Sequence, residues 1–217
     1  MVPRRTFALA LLFPQAALAC GAPVCLVDPE TLDLPRIVTF DDQKSGAGPG
    51  YRIDDVLEVP GAAFAEHFAG QSVGAQGDHD RVEGAAFGPL TLVPGPPGQN
   101  LSIVQFYGNA ILNGYGRAGY PKREAQGEGA IAVLFDTDQA SLAFDLRGGE
   151  EGAALVQFLR RDGSVIGSVP VEPTGEFAVG FRRSTGEDDI AGIVITNTDP
   201  QGLAIDTLRF GKPPDLS

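Results

Sequence analysis

From residue 36 onward the apolar residues come in short runs divided by Gly, Pro, Asn and Asp, and no 3.6-residue period is sustained. The runs fall at 36–40, 90–93, 101–107, 130–135, 141–146, 153–160, 164–171, 176–181, 190–197 and 203–210. Their lengths are those of β-strands. In SLAFDL (141–146), Leu142, Phe144 and Leu146 share one face while Ser141, Ala143 and Asp145 share the other. That alternation predicts a strand buried on one side. AAFAEHFA (62–69) is rich in helix-favouring Ala, but Pro60-Gly61 and Gly70 bound it tightly, so it reads as a strand. Asp162-Gly163 supplies the positive φ angles of a tight hairpin and predicts antiparallel pairing of the runs on either side. Asp136-Thr137-Asp138-Gln139 reads as a second short antiparallel link. The pattern as a whole predicts an all-β protein, one antiparallel β-sandwich of jelly-roll kind.

Composition narrows the class. A chain of 217 residues, 43% hydrophobic, is long enough for one sizeable core. Its 29 Gly and 17 Pro imply many turns. A formal charge of −12 argues against nucleic acid as a partner. The first 19 residues differ from the rest. Arg4 and Arg5 precede the apolar stretch TFALALLF (6–13), and Ala17-Leu18-Ala19 gives a small-x-small cleavage site. This is the order of an export signal, with an apolar stretch too short to span a bilayer. Removing it takes away two Arg and no acid, so −12 becomes −14. The mature protein is expected in the periplasm or outside the cell, with no transmembrane segment. Arg4-Arg5-Thr6-Phe7 also resembles the twin-arginine signal. The expected divisions are a signal peptide (1–19), an N-terminal segment with the cysteine pair (20–35), the sandwich (36–211) and a tail (212–217), in which FGKPPDLS (210–217) shows no apolar anchor.

Both cysteines follow the cleavage site, in CGAPVC (20–25). An oxidising compartment favours a Cys20–Cys25 disulfide around the turn made by Gly21 and Pro23. The alternative makes Cys20 the lipid-bearing first residue of a lipoprotein. The signal resembles that pattern, except that Ala17 stands where Leu is preferred.

The last strand, GLAIDTLRF (202–210), places Asp206 within an apolar row. Strict alternation puts Ala204, Asp206, Leu208 and Phe210 on one face. If that face is inward, a carboxylate there costs several kcal/mol unless it is paired, hydrogen-bonded or metal-bound; if it is outward, the cost vanishes. The run IVTFDD (37–42) ends in Asp41-Asp42, and the first and last strands of a sandwich often lie side by side. Carboxylates gathered there would need protons or a cation, and oxygen ligands without Cys or His suit Ca²⁺. Hydrogen bonds from turn amides would satisfy Asp206 equally well. TFDD, SLAFDL and TNTDPQGLAIDTLRF together resemble secreted bacterial β-sandwich proteins, similar to galactose-binding-like jelly rolls and carbohydrate-binding modules, over roughly residues 36–210. The resemblance implies a structural calcium held by Asp206 with Asp41 or Asp42.

GNAILNGYGRAGYPKREAQGEG (108–129) is the second candidate. Stretches this long without structure of their own are often functional. Tyr107, Tyr115 and Tyr120 could stack on sugar faces, and Asn109, Asn113, Arg117, Lys122 and Arg123 could bind hydroxyls or carboxylates. Tyr107, Tyr115, Arg117 and Tyr120 are the ligand candidates. The opposing reading makes 110–112 another strand and the remainder a surface loop. Third is Gly70-Gln71-Ser72-Val73-Gly74, which matches G-x-S-x-G but lacks the helix that a nucleophile elbow requires. Asp78-His79-Asp80 offers a base for Ser72 or a loose metal site. Asp54-Asp55, Glu150-Glu151 and Asp188-Asp189 read as solvated loops, and no spacing singles out a hydrolytic pair. The expectation is an exported, non-catalytic module that binds carbohydrate and is stabilised by calcium. Its rivals are a structural envelope protein without a small ligand and a hydrolase.

Overall fold

The computed structural model describes residues 20–212; the export signal expected in 1–19 lies outside the described residues. The strands are β1 (Val24–Val27), β2 (Arg36–Val38), β3 (Tyr51–Ile53), β4 (Leu57–Val59), β5 (Ala62–Ala65) and β6 (His67–Phe68). Next come β7 (Ser72–Gln76), β8 (His79–Glu83), β9 (Leu92–Val93), β10 (Leu101–Phe106), β11 (Asn109–Gly114) and β12 (Ile131–Gln139). The chain closes with β13 (Ser141–Gly148), β14 (Ala154–Leu159), β15 (Val165–Val171), β16 (Glu176–Arg183), β17 (Ile190–Asn197) and β18 (Leu203–Phe210). The protein is all-β and its sheets are antiparallel, as the pattern predicts.

Two large sheets face each other. The first runs β1-β16-β13-β18-β11-β10-β3, with β2 also paired to β18; the second runs β15-β14-β17-β12-β5-β4. Between them lies a core that includes Phe40, Phe64, Phe135, Phe144, Phe158, Phe181 and Phe210, all fully buried. The side-chain alternation read from SLAFDL holds: Leu142, Phe144 and Leu146 enter this core. Asp162-Gly163 makes the predicted hairpin between β14 and β15, with Gly163 at φ +85°.

The second predicted link behaves differently. β12 pairs with β17 and β5 in one sheet, whereas β13 pairs with β16 and β18 in the other. Residues 136–140 are therefore a corner at which the chain changes sheets, not a hairpin. Two strands joined by a short link can pair or can diverge into opposite layers, and local turn chemistry does not separate these outcomes.

The N-terminal segment is part of the sandwich. β1 pairs with β16, with Val24 opposite Arg183. Arg183 is buried, donates to the Pro23 carbonyl and forms an ion pair with Asp189, which also holds Arg160. Asp189, read as solvated, is thus structural. Cys20 and Cys25 are joined in a disulfide with Cα atoms 5.8 Å apart. The thioether of a lipid anchor would need the same Cys20 sulfur.

A third layer covers the outer face of the second sheet. β6 and β9 form one short ribbon and β7 and β8 another. Beneath them Phe68, Leu90 and Leu92 pack on Ala65, Ala132, Ala191 and Val194. The sheet residues there are small so that this layer can approach. At Gly192 an added Cβ would lie 2.6 Å from the Phe68 ring.

Candidate binding cleft

The outer face of the first sheet is built otherwise. Antiparallel register sets a row across it: Arg52 opposite Ser102, Ser102 opposite Asn113, Asn113 opposite Ala204, Ala204 opposite Arg147, and Arg147 opposite Glu176. Beside this row Val104, Ile111, Ala204 and Phe106 make a small apolar cluster of their own. The chain from Tyr115 to Gln126 crosses above and brings Arg123 and Gln126 over it. Between strands and crossing chain lies a cleft of about 280 Å³, with Phe106 and Ile111 in its floor and Asn113, Arg123, Gln126 and Arg147 among its polar lining. A second hollow of about 380 Å³ shares Val104, Phe106, Arg123 and Gln126 with it. A third, at the opposite end, shares Gly148, Gly149, Glu176 and Gln201 and adds Glu150 and Glu151. Together they form one groove, with Arg123, Arg147 and Glu176 in the middle and Glu150 and Glu151 at one end.

Two features of the groove concern unmet bonding. Asn113 is 5% exposed, and its Nδ2 atom and the Oγ of Ser102 opposite have no hydrogen-bond partner. Arg123 makes no ion pair among the described residues. Arg147 stands 3.7 Å from Asp145 and 3.8 Å from Asp206, long contacts for a guanidinium.

The predicted aromatic residues take different places. Tyr107 is 95% exposed at the tip of the two-residue turn between β10 and β11, at φ +45°. Its ring stands edge-on to Phe106, centroids 4.6 Å apart. Asn or Gly favours that backbone region, and a bulky side chain rarely occupies it. Tyr115 is 1% exposed, and its hydroxyl donates to the Pro49 carbonyl, so its ring offers no stacking face. Tyr120 packs on Tyr115 and donates to the Gly50 carbonyl. These two tyrosines pin the crossing chain to the β2–β3 connection. Arg117 is exposed and stands outside the groove lining, its charge acting on Asp80 instead. The first part of the expected loop is β11, the reading that 110–112 left open. Sequence reasoning overlooked Phe106, Gln126 and Arg147; a polar row across neighbouring strands cannot be seen until the register is known.

Asp206 is 3% exposed, and its position corrects the strict alternation. The β13–β18 register shifts between Ala143 and Asp145, which face Arg209 and Asp206. β18 therefore carries one extra residue, a bulge, with Thr207 at φ +47°. Leu203 and Ile205 face the core, Ala204 and Asp206 face outward, and after the bulge Leu208 and Phe210 face the core again. Asp206 holds the bulge by accepting the Thr207 amide at 2.7 Å. Burial raises its pKa most; the Thr207 amide and Arg147 oppose this, and the charges of Asp145 and Asp41 add to it.

The run expected as the first strand is β2, and it pairs with β18 from Val38–Leu208 to Arg36–Phe210, whereas β1, the first strand in the chain, lies beside β16. Asp41 accepts the Ala110 amide at 2.8 Å, bridging the gap where β18 passes from β2 to β11. Asp42 is exposed and accepts from Gln43. Among the described residues no group of three or more His, Cys, Asp or Glu is placed to hold a metal ion. Asp41, Asp42 and Asp206 accept hydrogen bonds from the Ala110 amide, Gln43 and the Thr207 amide, and the charge of Asp41 acts on Asp206. Ser72 lies opposite Glu83 and His79 opposite Gln76, at the two ends of one ribbon. Four strand positions, roughly 13 Å, separate them, so they make no nucleophile–base pair. His79 Nε2 lies 2.9 Å from the Asp199 carbonyl, and Asp80 accepts the Ala130 amide at 3.2 Å.

Fold and site define an all-β sandwich with one face closed by ribbons and the other opened by a polar groove. Comparison of the chain with protein families, with characterised proteins and with solved structures finds no match.

Proposed function

We propose that the protein is a non-catalytic module of the periplasm or cell exterior that binds an oligosaccharide in the groove across the first sheet. A sugar chain has apolar C–H faces and hydroxyl edges. The groove answers both, with Val104, Ile111 and Phe106 in the floor and Asn113, Gln126 and Gln201 as amide partners. Its continuity over three hollows suits a chain-like ligand better than a compact one.

The observation that carries this reading is Tyr107. A ring 95% exposed, in a turn position that strains any bulky residue, contributes nothing evident to folding. Strain of this sort gathers where a side chain must be presented to something else. Its ring stands edge-on to Phe106, which lines the groove, and offers an exposed stacking surface. This reading does not depend on calcium. A glycan array probed with the wild type and with Tyr107→Ala tests the proposal. Binding of wild type and at least a tenfold weaker signal from the variant are expected. No binding to any glycan at millimolar concentration overturns it and leaves a structural envelope protein as the better reading.

A further inference from the structure

From the charge pattern of the groove, and resting on the oligosaccharide reading above, we infer that the ligand is an acidic glycan whose uronate carboxylate is held between Arg123 and Arg147, with neutral sugars toward Glu150 and Glu151. Three observations converge. The protein carries −12 overall, yet the middle of the groove presents two guanidinium groups. Arg123 is exposed and makes no ion pair among the described residues, so its donors are free to meet a carboxylate. Among the described residues Arg147 is held only by the 3.7 and 3.8 Å contacts to Asp145 and Asp206, leaving its fork of donors incompletely used.

Three carboxylates stand near Arg147: Asp145, which also bonds Arg209 at 2.8 Å; Asp206, which accepts the Thr207 amide; and Glu176, which lines the same cleft. Arg123 pairs with none of them, so it carries the selectivity for a carboxylate. A guanidinium binds carboxylate through two parallel N–H···O bonds, about twice as strong as neutral hydrogen bonds. The acidic end sets the polarity. Glu150 and Glu151 line the third hollow and not the central cleft, and would repel a further carboxylate placed there. The groove therefore selects an isolated or terminal uronate over an unbroken polyuronate.

Carboxyl reduction, which converts each uronate to its neutral sugar and changes nothing else, supplies the test. The full-length mature protein is titrated with glucuronoxylan, hyaluronan and polygalacturonate, each before and after reduction. At least tenfold tighter binding of native glucuronoxylan or hyaluronan than of its reduced form is expected, with polygalacturonate weaker than either. Arg123→Gln should abolish the preference while leaving the melting temperature unchanged. Arg147→Gln also alters the network around Asp206, so Arg123→Gln is the deciding variant. Equal binding of native and reduced forms, or a preference that survives Arg123→Gln, overturns the uronate assignment and leaves the oligosaccharide reading standing. Absence of binding by these polymers and by the neutral glycans of the array overturns both.

Discussion

The two outer faces of the sandwich solve opposite problems with the same backbone geometry. On the second sheet the outward positions are Ala65, Ala132, Ala191 and Val194, and the ribbons lay Phe68, Leu90 and Leu92 over them. On the first sheet the outward positions include Ser102, Asn113, Arg147 and Glu176, and the crossing chain leaves a groove above them. One face adds a second core; the other keeps unsatisfied donors, paired charges and an exposed ring. Small outward residues mark a face that something in the chain will cover. Larger polar residues on neighbouring strands mark one left for a partner.

That contrast can be broken at several points. The largest effect belongs to the covered face. Phe68→Ala should cost about 3–4 kcal/mol, the usual range for emptying a buried aromatic site, read from urea unfolding. A cost below about 1 kcal/mol would mean that the ribbon is not packed as described.

Next comes a buried acid at the join between the β7–β8 ribbon and the chain entering β12. Asp80 is 3% exposed, and its pKa is raised to about 7, chiefly by burial and further by Glu66; the Ala130 amide, Arg117 and His79 act the other way. The unfolded chain releases this proton near pH 4, so between about pH 4 and 7 the folded state binds more protons than the unfolded one. Stability from this group is complete below that window and is lost as pH rises through it. Glu128, its pKa also raised by burial, acts with the same sign. Asp80→Asn keeps an acceptor for Ala130 and removes the ionisation. The variant should melt several degrees higher at pH 8 and show a flatter pH profile than wild type; an unchanged profile would mean that Asp80 is ionised in the folded protein at neutral pH.

A smaller effect is expected at the bulge. Asp206→Ala removes the acceptor for Thr207 and should cost about 1–2 kcal/mol, while Asp206→Asn should cost less. Equal losses for the two would point to the charge, not the amide cap. Smallest, and of opposite sign, is Tyr107→Asn. Asn-Gly is the preferred pair for such a turn, so the variant should gain up to about 1 kcal/mol while binding glycan more weakly. A loss of stability would show that the ring supports the fold. Chelator should shift the melting temperature by less than about 2 °C, whereas removing a cation from a saturated site would cost stability at kcal/mol scale; a larger fall would show that a bound cation stabilises the fold.

Much of the fold was legible because strand signals are local. The spans 190–197 and 203–210 coincide with β17 and β18, and the Asp-Gly hairpin follows from the chemistry of two residues. β1, β3, β4, β7 and β8 were not legible because three to five residues are too few for a period to emerge; β2 and β9, no longer, were read only as parts of the runs 36–40 and 90–93. Asp206 shows the limit more sharply. The pairing of its strand with the run at 36–40 was readable, but one inserted residue at Thr207 puts Leu208 and Phe210 on the opposite face from Asp206. Bulges carry no compulsory residue type, so alternation extrapolates through them wrongly. The groove was half visible: Tyr107 and Arg123 stand in or beside the 108–129 stretch, whereas Arg147 reaches the site only through strand register.

The central claim is that the outer face of the first sheet is the binding face. Backbone amide NMR of the isotope-labelled protein, titrated with a glycan that binds, tests it most directly. The account predicts shift changes concentrated at Phe106–Asn109, Asn113, Arg123–Gln126 and Arg147–Gly149, with β6–β9 and the ribbon face silent. Shifts confined to the ribbon face, or to the β14–β15 hairpin, would contradict it.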